Sequence, residues 1–313
     1  MIKKLNILVA GCGGDIGQSI AKILKSSNFI DALIGTDLND QHAGIFLFDK
    51  CYTLPRCNHP DYLQMLNDIV LNNNIDVIIP VSEPEIRFFF ENKHRNSFHV
   101  KVLIANDQAL DAGLDKYKTS LFLKDSGLNY PETYLFNDEI KLSFPIIAKS
   151  REGSGSKNVF LLESESDLTY ARQKRQGFIF QEYLPNESDE FTCGLYRSKN
   201  GEIRHITYRR KLIGGFSGYG EVVINAEIDK LLVAIANNLV LVGSINVQLR
   251  FNANGPCVFE INPRFSSTVR FRDLMGFKDV IWSLEDLFDE KISDYKDVQV
   301  GKKFYKGFSE YVD

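Results

Sequence analysis

The sequence of 313 residues lacks the hallmarks of several protein classes. Its 41 acidic residues outnumber its 37 basic ones, giving a net charge of −4, whereas nucleic-acid binding requires a basic surface that neutralises phosphates. No stretch approaches the roughly 18 consecutive apolar residues of a membrane-spanning helix. The apolar run after Lys3 and Lys4 is too short for a signal sequence. We therefore expect a cytoplasmic protein with no nucleic-acid or membrane partner.

Cysteine and histidine are scarce and scattered. The five cysteines are odd in number and form no C-x-x-C pair, which favours reduced thiols over a disulfide framework or a zinc site. The five histidines show no H-x-x-x-H or H-x-H spacing, so we do not expect a histidine-rich metal site.

What is present is an ordinary globular composition, 44% hydrophobic and 25% charged, in a length that predicts two domains at about 150 residues each. Strand and helix patterns alternate over the first hundred residues, which indicates a parallel, doubly wound α/β sheet. From about residue 135, short strands separated by Gly, Ser and Asn turns indicate an α+β texture. The predicted domains are 1–108 and 109–313, the second with subdomains at 109–183 and 184–313.

A glycine-rich turn in the first domain resembles a dinucleotide site. Gly11-x-Gly13-Gly14-x-x-Gly17 lies between a predicted strand and helix, and Asp37 ends the next strand. The match to G-x-G-x-x-G fails because Ile16 occupies the third glycine position. Tyr170 and Lys174 add a Y-x-x-x-K pair of the kind that dehydrogenases use. We favour a packing turn and a chance pair, and an NAD(P)-dependent oxidoreductase stays open as the alternative.

A lysine at a strand end marks a second candidate site. The apolar strand Phe144–Lys149 is followed by a Gly- and Ser-rich loop at residues 151–157. Backbone N–H groups in such a loop can cradle phosphates while the ammonium neutralises their charge. No Walker A pattern, G-x-x-x-x-G-K-[ST], occurs in the chain.

A predicted hairpin near the C-terminus carries apolar side chains on one face and polar ones on the other. Its strands are Ser244–Phe251 and Cys257–Ile261. Pairing apolar with apolar residues across the strands fixes the register of the polar face as well. The predicted pairs are Val247–Ile261, Leu249–Phe259, Gln248–Glu260 and Asn246–Asn262.

The polar face of this hairpin brings hard oxygen ligands together. The oxygens of Gln248, Glu260 and Asn262 suit Mg²⁺ that bridges nucleotide phosphates. Arg264 leaves the strand end beside them, placed to pair with a phosphate. The alternative is an exposed polar sheet face with a surface arginine.

Taken together, these features resemble the ATP-grasp superfamily. The run Glu260–Ser267 is similar to the synthetase domains of the carbamoyl phosphate synthetase large subunit, and Gly11–Ser19 resembles the domain that precedes them. The resemblance implies a Rossmann-like α/β pre-ATP-grasp domain followed by an α+β ATP-grasp domain.

The resemblance also implies roles for individual residues. ATP phosphates would contact two lysines and the loop, the adenine would meet the hinge Gln181–Leu184, and Glu190 would hold the ribose hydroxyls. Mg²⁺, or Mn²⁺ in its place, would bind the oxygen ligands. The residues implied for ATP are Lys116, Lys149, Ser154, Gly155, Ser156, Gln181, Glu182, Tyr183, Leu184 and Glu190; for the metal, Gln248, Glu260 and Asn262; and for catalysis, Arg264 and Lys211.

The chemistry implied by the resemblance is ATP-driven activation of a small carboxylate as an acylphosphate, followed by its transfer to an amine. A chain of 313 residues holds one synthetase unit, so bicarbonate is not the expected substrate. Strand alternation groups Arg209 with Lys211 and opposes Arg210, and does not decide which side faces the site. A nucleotide-binding module without activity and a homodimeric state both remain open.

Overall fold

The computed structural model describes residues 4–91, 94–153, 158–185, 189–296, 298–307 and 309–312. The first part of the chain forms a five-stranded sheet in the order β3-β2-β1-β4-β5, in which all neighbours are parallel. This confirms the predicted doubly wound α/β fold. The strands are β1 (Leu5–Ala10), β2 (Ile30–Asp37), β3 (Lys50–Thr53), β4 (Val77–Pro80) and β5 (Lys101–Val102).

The helices of this part follow the predicted alternation, with two additions. Helix α1 buries Ile20, Ile23 and Leu24 against the sheet, as its apolar spacing predicts. The strand β3 and the helix α3 were missed, because β3 is a four-residue edge strand without an apolar run and α3 buries only two of its nine residues. The helices are α1 (Asp15–Lys25), α2 (Tyr62–Asn72) and α3 (Glu83–Glu91), with 3₁₀ turns at Ala43–Leu47 and His94–Asn96.

Two antiparallel sheets form the second part, which confirms the predicted α+β texture. The smaller has the order β6-β9-β7-β8 and the larger the order β14-β13-β10-β11-β12-β15. The strands are β6 (Thr133–Leu135), β7 (Ile146–Ser150), β8 (Val159–Leu162), β9 (Phe178–Glu182), β10 (Glu190–Arg197), β11 (Ile203–Ile213), β12 (Phe216–Val222), β13 (Gly243–Asn252), β14 (Gly255–Asn262) and β15 (Lys303–Tyr305).

Side-chain caps set where several helices of this part begin. The helix Ala226–Asn238 begins directly after Asn225, because the side chain of Asn225 accepts hydrogen bonds from the backbone N–H groups of Glu227 and Ile228. The helices are α4 (Asp107–Gly113), α5 (Lys116–Asp125), α6 (Glu165–Lys174), α7 (Ala226–Asn238), α8 (Val269–Leu274) and α9 (Asp279–Leu287).

The β13–β14 hairpin has the predicted register only in the half that is farther from its turn. Asn246, Val247 and Gln248 face the predicted partners on β14. A bulge after Gln248 then places Leu249 opposite Val258, so the predicted Leu249–Phe259 pair is wrong. The extra residue turns Phe259 away from the apolar face.

The two parts of the chain share a hydrophobic core. Phe265, Val269 and Leu284, near or within the C-terminal helices, belong to the same buried cluster as Ile7 and Val9 of β1. The domain boundary predicted at residue 108 therefore lies between the parallel sheet and the antiparallel sheets, but the hydrophobic core extends across it. The boundary stays a prediction. Within the described residues, no helix has the length and apolar character needed to cross a membrane.

Candidate functional site

A cavity of about 1660 Å³ lies where the three sheets meet. At one end it is lined by the turns after β1 and β2 and by helix α3, at the carboxyl edge of the parallel sheet. At the other end its walls come from β7, β9, β10 and the β13–β14 hairpin. The carboxyl edge of a parallel sheet is where ligands bind in folds of this kind.

The oxygen-bearing side chains of the hairpin line this cavity, and their cross-strand pairing is the predicted one. Gln248 faces Glu260 and Asn246 faces Asn262 across the two strands. Asn246 and Asn262 are buried, and Thr192 donates a hydrogen bond of 3.1 Å to Asn246 Oδ1. A carboxylate and three amide groups therefore converge on one wall.

Three cationic side chains surround the oxygen ligands. Lys149 Nζ donates to Phe259 O at 3.1 Å, and Lys116 Nζ lies 3.9 Å from Glu260 Oε1. Arg264 donates to Phe265 O at 2.9 Å and lines the cavity beside Asn262. Burial lowers the pKa of Lys149 to about 8. Nearby cations add to this shift, and the negative charge of Glu260 acts against it. The concentration of positive charge suits a polyanion.

Helix α5 is tied to the segment that precedes the Gly/Ser loop. Asp115 caps the helix by accepting from Tyr117 N–H at 2.9 Å and binds Arg151 through both carboxylate oxygens. Lys116 Nζ donates to Gly153 O at 2.5 Å. The first turn of α5 and residues 151–153 therefore form one hydrogen-bonded unit at the edge of the cavity.

Glu190 lies in a buried network of arginines. Its Oε1 accepts from Arg210 Nη2 at 2.6 Å, and its Oε2 accepts from Arg250 Nη2 at 2.8 Å. Burial alone would raise the pKa of Glu190, but the two guanidinium groups hold it below its usual value. Arg210 Nη2 also donates to Gln248 Oε1 at 2.7 Å. Both oxygens of Glu190 are thus engaged by protein cations, and its ribose role stays a prediction.

The structure shows which of the three basic residues of β11 are buried and which are exposed. Arg210 is buried in the network with Glu190, whereas Arg209 is exposed and forms ion pairs with Asp189 and Glu221. Lys211 is exposed at the rim of the cavity. Arg210 and Lys211 both line the cavity, and Lys211, the residue that the sequence analysis assigned to catalysis, is the more exposed of the two.

The cavity has an apolar end beside the hinge strand β9. Phe259, turned inward by the bulge, lines it with Leu184, Ile147 and Val159. The Lys149 ammonium and the Arg250 guanidinium lie 5.8 and 5.7 Å from the Phe259 ring centre. A flat aromatic group would fit between these walls.

The remaining predicted ATP residues divide into two groups. Gln181, Glu182 and Leu184 line the cavity, and Tyr183, which the structure also describes, is not among the lining residues. The predicted phosphate contacts at Ser154, Gly155 and Ser156 lie outside the described residues.

The glycine-rich turn is built for packing. A Cβ on Gly17 would lie 2.3 Å from Gly11 O, and one on Gly13 would lie 2.5 Å from Cδ2 of the His42 ring. The His42 imidazole therefore packs directly against Gly13 of the turn. Tyr170 is 58% exposed on helix α6, away from the cavity. These positions favour the packing interpretation over the oxidoreductase alternative.

Sequence reasoning missed several residues that line the cavity. Arg210 and Arg250 shape the centre, and His42, Glu85 and Arg87 line the end at the parallel sheet. Alternation placed Arg250 on the polar face of the hairpin, which was the available signal for it. His42 and Glu85 belong to a turn and to the missed helix α3, whose positions depend on tertiary packing.

The fold and this site define a class. Residues 114–268 match the model of the ATP-grasp domain, and residues 7–103 match that of the PylC-like N-terminal domain. The chain therefore contains an ATP-grasp domain preceded by a PylC-like N-terminal domain. This confirms the resemblance inferred from the sequence.

Individual proteins are similar to much of the chain. The carbamoyl-phosphate synthase of Methanobrevibacter smithii is 25% identical over 248 residues, which are 76% of this chain and 65% of the relative, slightly under two thirds of its length. The N5-carboxyaminoimidazole synthetase of Staphylococcus aureus complexed with ADP superposes with a TM-score of 0.77 at 16% identity, over 97% of this chain and 82% of that one. The L-amino acid ligase of Bacillus licheniformis gives 0.70 at 18% identity, over 91% and 75%.

Proposed function

We propose that the protein is an ATP-dependent ligase that activates a small carboxylate as an acylphosphate and joins it to an amine. The observation that carries the proposal is the wall where Gln248, Glu260 and Asn262 face the same cavity as Lys149 and Arg264. Oxygen ligands beside buried cations are the arrangement that phosphoryl transfer requires. The named activities of the similar proteins, a synthase, a synthetase and a ligase, point the same way.

Mg²⁺, or Mn²⁺ in its place, fits the donor set. Glu260 supplies a carboxylate and Asn262 an amide oxygen, the hard ligands that both ions take. Gln248 Oε1 already accepts from Arg210, but an amide oxygen has a second lone pair for a further partner. When bound, the ion would offset negative charge on the phosphates. Glu260, Asn262 and Gln248 would hold it.

The apolar end of the cavity is the proposed adenine site. Phe259 and Leu184 would cover the faces of the base, while backbone groups of the hinge Gln181–Leu184 would meet its edge. Lys149 and Lys116 would bind the phosphates, and the unit that Asp115 anchors would hold Lys116 in place for this contact. Glu190, already paired with two arginines, would reach the ribose.

The chemistry then needs no covalent nucleophile from the protein. A carboxylate oxygen of the substrate attacks the γ-phosphorus, and the bond to the β–γ bridging oxygen breaks to release ADP. The amine nitrogen next attacks the acyl carbon, phosphate leaves, and the amine loses a proton to solvent. Arg264 and the lysines stabilise the charge on the transferring phosphoryl group. We assign Lys211, at the rim of the cavity, to binding the acyl group of the acylphosphate.

The two substrates would enter from the end of the cavity at the parallel sheet. That end presents the turns after β1 and β2 together with Glu85 and Arg87 of helix α3. It is continuous with the phosphate-binding wall, so a carboxylate held there can reach the γ-phosphate. Both charge signs are present, as an amine and a carboxylate require.

The direct test is ADP release over a panel of amino acids and small carboxylates, with mass detection of the product. We expect Mg²⁺-dependent turnover with at least one pair and a loss of more than 100-fold in Glu260→Ala, because one oriented electrostatic contact supplies roughly this factor. Glu202→Ala is the control, since Glu202 is an exposed carboxylate paired with Arg204 away from the cavity.

Ligand-induced stabilisation separates the proposal from its alternative. ATP with Mg²⁺ should raise the melting temperature of the protein, and NAD(P)H should not. Stabilisation by NAD(P)H alone, or equal turnover in Glu260→Ala and the wild type, would contradict the ligase assignment. ATP-induced stabilisation without turnover for any pair would leave a nucleotide-binding module in its place.

A further inference from the structure

A second polar cluster lies outside the proposed ATP site, at the end of the cavity formed by the parallel sheet. It consists of Cys12 after β1, Asp37 at the end of β2, and His42 before the 3₁₀ turn. One ligand atom from each lies within 4.8 Å of the other two, and Cys12 Sγ is 3.9 Å from His42 Nε2. Asp37 and His42 belong to one connection, after β2, and the fold brings Cys12 from the turn after β1 beside them.

The side chains of this cluster are held in place by the protein around them. Asp37 Oδ2 accepts from Gly13 N–H at 2.8 Å, and the His42 ring packs directly on Gly13. Among the described residues, His42 Nδ1 is buried with no hydrogen-bond partner, and Nε2 faces the Cys12 thiol. Ligation of a metal through Nε2 requires the neutral imidazole with its proton on Nδ1, and, in the part of the chain that the structure describes, nothing around Nδ1 opposes that tautomer.

We propose that Cys12, Asp37 and His42 bind a divalent transition-metal ion, with Zn²⁺ the best match to a sulfur, nitrogen and oxygen donor set. Bonds of about 2.3 Å to sulfur and 2.0 Å to nitrogen place these two ligand atoms roughly 3.5 Å apart, so the 3.9 Å between Cys12 Sγ and His42 Nε2 must contract slightly. The carboxylate oxygen of Asp37, within 4.8 Å of both, must also move closer. Binding forms the metal–sulfur bond and releases the thiol proton to solvent. The thiolate and the carboxylate then neutralise the charge of the ion.

The fourth coordination position of this ion would face the cavity. Asp37 and His42 line the cavity wall, whereas Cys12 is completely buried behind them. Three protein ligands and one open position are typical of zinc sites that bind water or a substrate group. The ion would therefore present a site for an electron-pair donor, such as an amine or a carboxylate. This inference stands on the cluster alone and does not depend on the ligase activity.

Cobalt substitution tests the site without relying on activity. The full-length protein is freed of metal with a chelator, kept reduced, and titrated with Co²⁺. We expect one equivalent to bind with visible d–d bands of tetrahedral intensity and a near-ultraviolet thiolate-to-cobalt charge-transfer band, and one equivalent of Zn²⁺ to abolish both. A wild-type protein without the charge-transfer band would overturn the proposal.

Three variants assign the ligands. Cys12→Ala should lose the charge-transfer band, and His42→Ala should weaken Co²⁺ binding at least tenfold and shift the d–d bands. Cys57→Ala is the matched control, because Cys57 lines the same cavity outside the cluster, and it should keep the spectrum. If Cys12→Ala does not fold, His42→Ala decides, since its side chain is partly exposed in the cavity wall. A wild-type spectrum in His42→Ala would show that cobalt binds elsewhere.

Discussion

Lys149 is a single residue whose surroundings change its chemistry. Its ammonium is buried, donates to Phe259 O, and has two further cations near it. Removing water disfavours the charged form, which lowers the pKa to about 8. Phosphates of a bound nucleotide would restore the charge, so binding and protonation of Lys149 are coupled.

This coupling predicts a pH dependence of nucleotide binding. Below pH 8 Lys149 is already charged, whereas above it a proton must be taken up on binding, so the affinity for ATP–Mg²⁺ should fall by up to about tenfold per pH unit between pH 8 and 9.5. Isothermal titration calorimetry measures this slope. Lys149→Met should bind more weakly with a flat profile, and Lys174→Met, on the exposed face of α6, should keep the slope. A sloping profile in Lys149→Met would assign the titration to another group.

The lowered pKa of Lys149 acts in the opposite direction on the stability of the unliganded protein, which it increases as the pH rises. The folded-state pKa of Lys149 lies below the ordinary value of 10.5, so the unfolded chain binds more protons between about pH 8 and 10.5. The contribution of Lys149 to the free energy of unfolding therefore rises with pH in that window.

Helix α5 shows how an element positions a site. Its N-cap Asp115 bonds to the first turn and to Arg151, and the next residue, Lys116, contacts both Gly153 and Glu260. The cap therefore stabilises a helix end and also fixes Lys116, the proposed phosphate ligand, relative to Glu260 of the hairpin. Elsewhere Asn225 caps α7 in the same manner, without lining the cavity.

These two caps make a matched pair of variants. Asp115→Ala and Asn225→Ala should each lower the free energy of unfolding by about 1 kcal/mol, the usual effect of removing an N-cap. Only Asp115→Ala should also weaken ATP binding, by about tenfold, since Lys116 and Arg151 lose their common anchor. Chemical denaturation and calorimetry measure the two effects. Equal nucleotide affinity in the two variants would contradict the positioning role.

At the scale of the whole molecule, the C-terminal helices join the two parts. Val269 of α8 and Leu284 of α9 are completely buried in the cluster that contains Ile7 and Val9 of β1. The C-terminal helices therefore help stabilise the first sheet, although they follow the ATP-grasp strands in sequence. The cavity lies between two parts of the chain that share this core, so that unfolding of either part disrupts the packing of the other.

This packing predicts that unfolding is cooperative across the chain. Leu284→Ala should lower the free energy of unfolding by 2 to 5 kcal/mol, the range for a buried leucine in a core. Hydrogen exchange should show the effect at β1 amides as well as in α9. Leu274→Ala is the control, since Leu274 is 61% exposed on α8, and should change stability by less than about 0.5 kcal/mol. Loss of protection confined to α9 would contradict a shared core.

The sequence by itself determined most of the elements and much of the polar wall of the cavity. Strand alternation is a local property, so the pairing of Gln248 with Glu260 and of Asn246 with Asn262 was readable from the pattern, as was the Lys149 strand end. The parallel sheet followed from alternating elements for the same reason. Local periodicity records which face of a strand or helix is buried.

Only the tertiary structure decided what meets across elements. The bulge that turns Phe259 inward has no periodic signature, and the inward position of Arg210 depends on the partners Glu190 and Gln248. The cluster of Cys12, Asp37 and His42 escaped the spacing rules because two separate segments, the turn after β1 and the connection after β2, supply it. Contacts between residues distant in sequence depend on how the sheets and helices pack, and no local pattern encodes that packing.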